Sequence, residues 1–347
     1  MFILILKILI FLLVSLIVNY ILSKKKLLID IPEFSTHKEK HDKIIPLSGG
    51  IFFILSIFTI TYITGDNNKI ILFLFPFLLI GIVADTIKNF SPKIRLIFQL
   101  FFIILLIQFL KLKVSSIDLL IFDNYLKNDF FNFFFVTFCI VTVLNGHNFM
   151  DGINGFVSGN FLGILLVLYI ILNYSGIIID SELNIKLENA IVICAIFFIF
   201  NIFGICFLGD NGIYVFSIYI SYLVITFIEN SNNQLSPLLA ATLLWYPAIE
   251  NLFSILRRLK KKKKISDPDK LHLHILIKQR ISNMFENKVT KIQLNSFTGL
   301  IINFLLLPNF VLSIIWFNNS INLMILIIIQ ILIYILLYFN FSKYIKN

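Results

Sequence analysis

Three aspartates, Asp85, Asp151 and Asp210, each stand where an apolar run gives way to a short polar stretch: ADTIKNFSPKIR (84–95), NGHNFMDGING (145–155) and FLGDNG (207–212). A carboxylate at the edge of a bilayer is costly unless it is solvated, paired or metal-bound. Oxygen ligands with amides and no Cys suit Mg²⁺ or Mn²⁺. Mg²⁺ held by few carboxylates and completed by substrate phosphates is the usual arrangement for phosphoryl chemistry. A solvated helix end is the plain alternative for any one of the three. Gly152, Gly155, Gly209 and Gly212 flank two of the acids, where a sharp turn or a close ligand would need them. In HDKIIPLSGG (41–50), Gly49 and Gly50 open a helix whose free N–H groups could face an anion, or form a simple turn. His272 and His274 alternate in LHLHIL. An extended segment there would point both at one target. The basic run Lys260–Lys264 just before them reads as topogenic charge with an attraction to anionic headgroups.

The elements that must position these groups are membrane helices. Of 347 residues, 59% are hydrophobic and 14% charged, and the mean hydropathy is +0.93. A soluble domain carries about 25% charge. Apolar runs recur over 2–22, 47–64, 70–84, 96–110, 130–144, 156–173, 188–208, 212–229, 237–256, 296–315 and 322–341. Most match a hydrocarbon core of about 30 Å. They do not alternate, which excludes a β-barrel. The expectation is an all-α polytopic membrane protein, about 10–11 transmembrane helices in a single domain. Phe2–Leu22 lacks a small-residue cleavage site after it and reads as a retained helix. Cys139, Cys194 and Cys206 fall inside apolar runs and read as packing residues.

Loop charge sets the expected orientation. Of 29 Lys and Arg, all but Lys7, Lys69, Lys111, Lys113, Lys127 and Lys186 fall in alternate loops: 23–45, 85–95, 145–155, 209–211, 257–295 and the tail from 342. That set is cytoplasmic, with the N-terminus outside and the C-terminus inside. The net charge of +10 is then a topology signal, and a nucleic-acid partner is a poor reading of it. All the polar motifs open onto this one face.

Together the motifs resemble the polyprenyl-phosphate N-acetylhexosamine-1-phosphate transferase family, labelled glycosyltransferase 4. HDKIIPLSGG is similar to its first cytoplasmic motif, and ADTIKNFSPKIRLIFQ to its acidic motif followed by S-P-[KR]-x-R. NGHNFMDGING resembles its NxxNxxDGxDG, FLGDNG its F-[LM]-G-D-x-G, and LHLH its histidine-containing last loop. SPLLAATLLWYPAIENLFSILRR resembles members that make O-antigen or capsule lipid intermediates. The motifs run in family order over nearly the whole chain.

The resemblance implies transfer of N-acetylhexosamine-1-phosphate from a UDP-sugar to polyprenyl (undecaprenyl) phosphate with release of UMP. The product would start O-antigen, capsule or another envelope glycan. It implies a Mg²⁺ (or Mn²⁺) cofactor and a multi-pass protein of the inner (plasma) membrane with its site facing the cytoplasm. Asp85, Asp151 and Asp210 would be catalytic. Asp210, with Asp151, would hold the metal, and Asp85 would act near the lipid phosphate as a base or positioning group. His41, Lys43, Gly49, Gly50, Lys93, Arg95, Asn145, Asn148, Asn154, Asn201, His272 and His274 would contact substrate. Ala84 stands where many members have a second acid, and Asn154 where many have Asp. LHLHIL differs from the histidine triplet of the peptidoglycan branch, whose phospho-N-acetylmuramoyl-pentapeptide transferase is the runner-up. A catalytically dead homologue and a membrane transporter are readings of other classes. Transporter sites, however, lie near the bilayer midplane. The sequence marks neither the sugar nor an oligomeric state.

Overall fold

The fold is taken from a computed structural model that describes residues 2–30, 44–64, 68–87, 89–177, 181–262, 271–285 and 289–343. His41 and Lys43 lie outside the described residues, as does the Lys263–Lys264 end of the basic run. Among the described residues, fourteen helices and one two-stranded ladder follow in order. They are α1 (Phe2–Lys25), β1 (Ile29–Asp30), β2 (Ile45–Pro46), α2 (Gly49–Thr64), α3 (Ile70–Thr86), α4 (Pro92–Leu110), α5 (Leu120–Leu126), α6 (Asp129–Met150), α7 (Phe156–Tyr174) and α8 (Ser181–Ile202). Then come α9 (Gly209–Glu229), α10 (Leu238–Leu243), α11 (Trp245–Lys260), α12 (Leu273–Phe285), α13 (Lys291–Ile315) and α14 (Ser320–Lys343). Eight are long and apolar enough to cross a membrane, and α2 and α3 are shorter apolar helices. The chain is an all-α multi-pass membrane protein.

α9 is the axis of the bundle. Its apolar window is 78% buried, against 22% for α4 and α14, which therefore lie at the rim with Ile and Phe turned outward. Outward apolar side chains suit lipid rather than water. Packing around α9 depends on small residues. A Cβ on Gly81 of α3 would lie 2.2 Å from the Cα of Asn211, and one on Gly146 of α6 would lie 2.0 Å from the carbonyl oxygen of Pro247 in α11. Glycine alone permits these approaches.

Two expectations change. The run 237–256 is not one helix: α10 ends at Leu243 and α11 begins at Trp245, so this crossing is broken. The helices also extend past their apolar cores. α6 carries NGHNFM as its last turns and α9 begins at Gly209, so the expected loops 145–155 and 209–211 are largely helix ends. Hydropathy marks the part of a helix that lipid covers and misses polar turns beyond it. α13 likewise starts before its apolar run, at a capping box in which Thr290 and Gln293 exchange hydrogen bonds.

Candidate functional site

The site is built at one end of the bundle, where α2, α7, α9 and α13 begin and α3, α6 and α8 end. The first motif is tied to the fourth by a parallel bridge between Leu47 and Phe207. Phe207 N–H donates to Pro46 O at 2.9 Å, and Ser48 N–H to Phe207 O at 3.1 Å. β1 and β2 close the same corner, pairing Ile29 with Pro46.

Asp85, on the last turn of α3, reaches the start of α9. Its Oδ1 accepts the Asp210 N–H at 2.8 Å. Its Oδ2 accepts the Asn211 N–H at 3.1 Å and the Asn211 Nδ2–H at 2.6 Å. A helix start leaves N–H groups unmatched and carries partial positive charge. Here a carboxylate from a neighbouring helix supplies the cap. Gly81 lies one turn before Asp85, and its lack of a side chain brings α3 close enough for this reach.

Asp210 then points its own carboxylate to other partners. Arg95 of α4 donates from Nη1 to Oδ2 at 2.7 Å, and Asn148 of α6 donates from Nδ2 to Oδ1 at 3.1 Å. The Tyr214 hydroxyl, one turn along α9, donates to Oδ2 at 3.3 Å. Arg95 and Asn148 also reach that hydroxyl, at 3.4 and 3.3 Å. The Arg95 and Asp210 side chains stay 26% and 20% exposed, so this ion pair keeps an opening. Four helices thus converge on Asp210. The Asp210 carboxylate is the hard oxygen donor here, of the kind Mg²⁺ or Mn²⁺ takes when phosphate and water complete its shell, and its present partners are two nitrogen donors and a hydroxyl. Among the described residues no group of three or more His, Cys, Asp or Glu could hold a metal ion, so the chain alone makes no closed cage.

The central motif folds into a loop braced from behind. Asp151, half-buried, follows α6, and Gly152 turns with φ +114. Gly155 N–H donates to Asn201 Oδ1 at 2.6 Å, and Asn201 Nδ2 donates to Cys206 O at 2.9 Å. Asn154 is buried between Asn295, which donates to its Oδ1 at 3.1 Å, and Ser296. Asn201 and Asn154 therefore act as struts of the loop. Asn145 turns back to Val141 O at 3.0 Å, inside its own helix. Lys93 is exposed in the first turn of α4. Gly50 departs from the anion reading: its N–H donates to Asn211 Oδ1 at 2.8 Å, and both Gly49 and Gly50 pack against the start of α9.

The two histidines also depart from expectation. α12 begins at Leu273, so His272 precedes the helix and His274 lies in its first turn, yet both rings do share a target. It is Glu250 of α11, with His272 Nδ1 at 2.8 Å and His274 Nδ1 at 4.0 Å. Both rings are buried rather than turned to solvent. Nearby, burial pulls the Lys278 ammonium of α12 down to about 7, and its Nζ donates to Asn295 Oδ1 at 2.8 Å. Asn295 in turn donates to Gly152 O at 3.2 Å.

Sequence reasoning missed Asn211, Tyr214, Glu250, Lys278 and Asn295. Tyr214 had a signal, its four-residue spacing from Asp210 on a helix. Glu250 had one too, as a carboxylate inside an apolar run.

An apolar multi-pass bundle thus gathers acids, amides and one arginine at a partly open end. Residues 67–228 match the family model described as Glycosyl transferase family 4. A Bacillus subtilis protein named "probable undecaprenyl-phosphate N-acetylglucosaminyl 1-phosphate transferase" is 25% identical over 285 residues, covering 76% of this chain and 74% of that protein. The undecaprenyl-phosphate alpha-N-acetylglucosaminyl 1-phosphate transferases of Escherichia coli K12 and Thermotoga maritima are each 26% identical. They cover 74% and 75% of this chain, and 70% and 76% of their own lengths. Residues 67–228 thus resemble glycosyl transferase family 4, and the chain is similar over most of its length to proteins named as undecaprenyl-phosphate sugar-1-phosphate transferases.

Proposed function

We propose that the chain transfers N-acetylhexosamine-1-phosphate from a UDP-sugar to polyprenyl phosphate and releases UMP. The observation that carries this reading is the convergence of Arg95, Asn148 and Tyr214 on Asp210, with Asp85 capping the same helix, at an end of an apolar bundle. A soluble donor and a lipid acceptor can meet only at such a place. The charge distribution supports the cytoplasmic side of the plasma membrane. The names of the three relatives support N-acetylglucosamine as the first sugar to try.

In the reaction an oxygen of the lipid phosphate bonds to the β-phosphorus of the donor. The bond from that phosphorus to the bridging oxygen breaks, and UMP leaves with the electron pair. A phosphate monoester has its second pKa at about 6, so the acceptor is largely ionised near neutral pH and needs no strong base. Asp85 fits a positioning role better than a base role, since both its oxygens are taken by the start of α9. Arg95, steadied by Asp210, offers its other N–H donors to phosphate. Asn148 and the braced loop 151–155 line the donor side. Asp210, with Asp151 a candidate second ligand, would hold a divalent cation. Bound there, Mg²⁺ would screen the diphosphate and the charge on departing UMP.

The test is UMP release from membranes supplied with polyprenyl phosphate and a panel of UDP-N-acetylhexosamines, with and without Mg²⁺. Asp210→Asn is expected to abolish turnover in a protein that stays folded. UMP formed equally without lipid, or by Asp210→Asn, would contradict the proposal.

A further inference from the structure

Glu250 sits in the middle of α11 with no exposed surface. A buried carboxylate is costly unless partners replace its water. His272 Nδ1 lies 2.8 Å from Oε1, the Tyr334 hydroxyl of α14 donates to Oε2 at 3.1 Å, and His274 Nδ1 lies 4.0 Å from Oε2. The two imidazoles stack, with centroids 5.5 Å apart and planes 18° from parallel. Each also meets a ring at the central motif: Phe149 within it lies 5.3 Å from His272, and Phe156, the residue just after it, lies 5.6 Å from His274. Phe149 follows Asn148, which holds Asp210, and Phe156 follows Gly155, where the braced loop ends. Arg258 adds its guanidinium over Phe149 at 5.5 Å.

One carboxylate therefore gathers the segment before α12, a hydroxyl of α14 and, through two imidazoles, both ends of the central motif. A peg that served stability alone is better made apolar, since packed hydrophobic residues commonly replace a buried charged network without loss. What a carboxylate adds is direction. Accepting from Nδ1–H fixes the tautomer and the ring angle of His272, as carboxylates do for histidines in metal sites.

We infer that Glu250 is a positioning residue of the site. It latches residues 271–274 against Phe149 and Phe156, and so holds Asn148 and the loop 151–155 in the arrangement that receives the donor. The kinetic consequence rests on the proposed reaction, and the structural consequence does not.

Both are read on the full chain in detergent with Glu250→Leu, Glu250→Gln and Tyr334→Phe. Without substrate, Glu250→Leu is expected to speed hydrogen exchange in 145–156 and 271–285 by about tenfold or more. Glu250→Gln, whose amide oxygen still accepts from Nδ1–H, should stay within about threefold. In turnover, Glu250→Leu should raise KM for the UDP-sugar about tenfold while KM for polyprenyl phosphate stays within about twofold; Glu250→Gln should restore most of the difference. Unchanged exchange in folded Glu250→Leu would overturn the latch. So would equal changes in both KM values with no rescue by Gln, the pattern of a scaffold residue. If Glu250→Leu does not fold, Tyr334→Phe removes one bond and should show the same pattern at about threefold; no change there overturns the inference. Faster exchange in a protein whose wild type releases no UMP would uphold the latch and sink the reaction.

Discussion

If Asp85 works by capping α9, its energetics must be shared with Asn211. The carboxylate accepts three N–H groups, two of them from Asn211. Hydrogen bonds to a charged group contribute about 1.5–3 kcal/mol each. Asp85 is only half-buried, so water recovers part of that. Asp85→Asn keeps one acceptor oxygen and turns an amide N–H₂ toward donors that already point at it. A net loss of about 3 kcal/mol in holding the start of α9 follows. Because α9 carries Asp210, this predicts a fall of about a hundredfold in kcat. Asn211→Ala removes one of the same bonds together with those to Gly50 N–H and Leu47 O, and should cost about a hundredfold. The decisive quantity is the double variant. A shared cap predicts a coupling of about 1–2 kcal/mol between the two substitutions, whereas independent sites add within about 0.5 kcal/mol. The assay is UMP release at saturating donor and acceptor, with the thermal midpoint of each detergent-purified variant as the folding control. Additive losses would refute the cap and return Asp85 to a base role, for which the pH–rate profile of Asp85→Asn would lose its acidic limb.

Two further outcomes follow from packing and burial. Gly81→Ala puts a methyl 2.2 Å from the Asn211 Cα, so it should destabilise by about 1–3 kcal/mol and lower turnover together, read as thermal midpoint and UMP release; an unchanged midpoint would mean the α3–α9 contact is slack. Lys278 has its pKa pulled from 10.5 to about 7 by burial. Between those values the unfolded chain binds more protons than the folded one, so this group makes stability rise with pH from about 7 upward. Lys278→Met should flatten the rise of thermal midpoint between pH 7 and 9, and an identical slope in both proteins would contradict the assignment.

The architecture was legible because lipid imposes a coarse code. Long apolar runs, loop charge and polar stretches at helix ends led to a multi-pass bundle with one chemical end. The code failed where polar residues continue a helix, as at NGHNFM and Gly209, and where a crossing breaks, as at Leu244. Asp85 and Asp210 stood out by type and place, Asn148 and Arg95 through the family resemblance, and the fold joins all four. Their wiring was not legible, because it crosses helices: Asp85 to Asn211 spans 126 positions, and Asn295 to Asn154 spans 141. Gly50, Asn154 and Asn201 read as ligands but serve as struts or close contacts, since an amide that braces a loop looks in sequence like one that binds. Glu250 was hidden inside an apolar run, and only the fold brings His272 and His274 to it.

The most direct test of the central claim follows the β-phosphate. UDP-N-acetylglucosamine labelled with ³²P at the β position is incubated with membranes containing the protein, Mg²⁺ and polyprenyl phosphate, then partitioned into organic solvent. Phosphosugar transfer predicts label in the organic phase and unlabelled UMP in water, in equal amounts. Label that stays in water as UDP, with sugar alone moving to lipid, would contradict it.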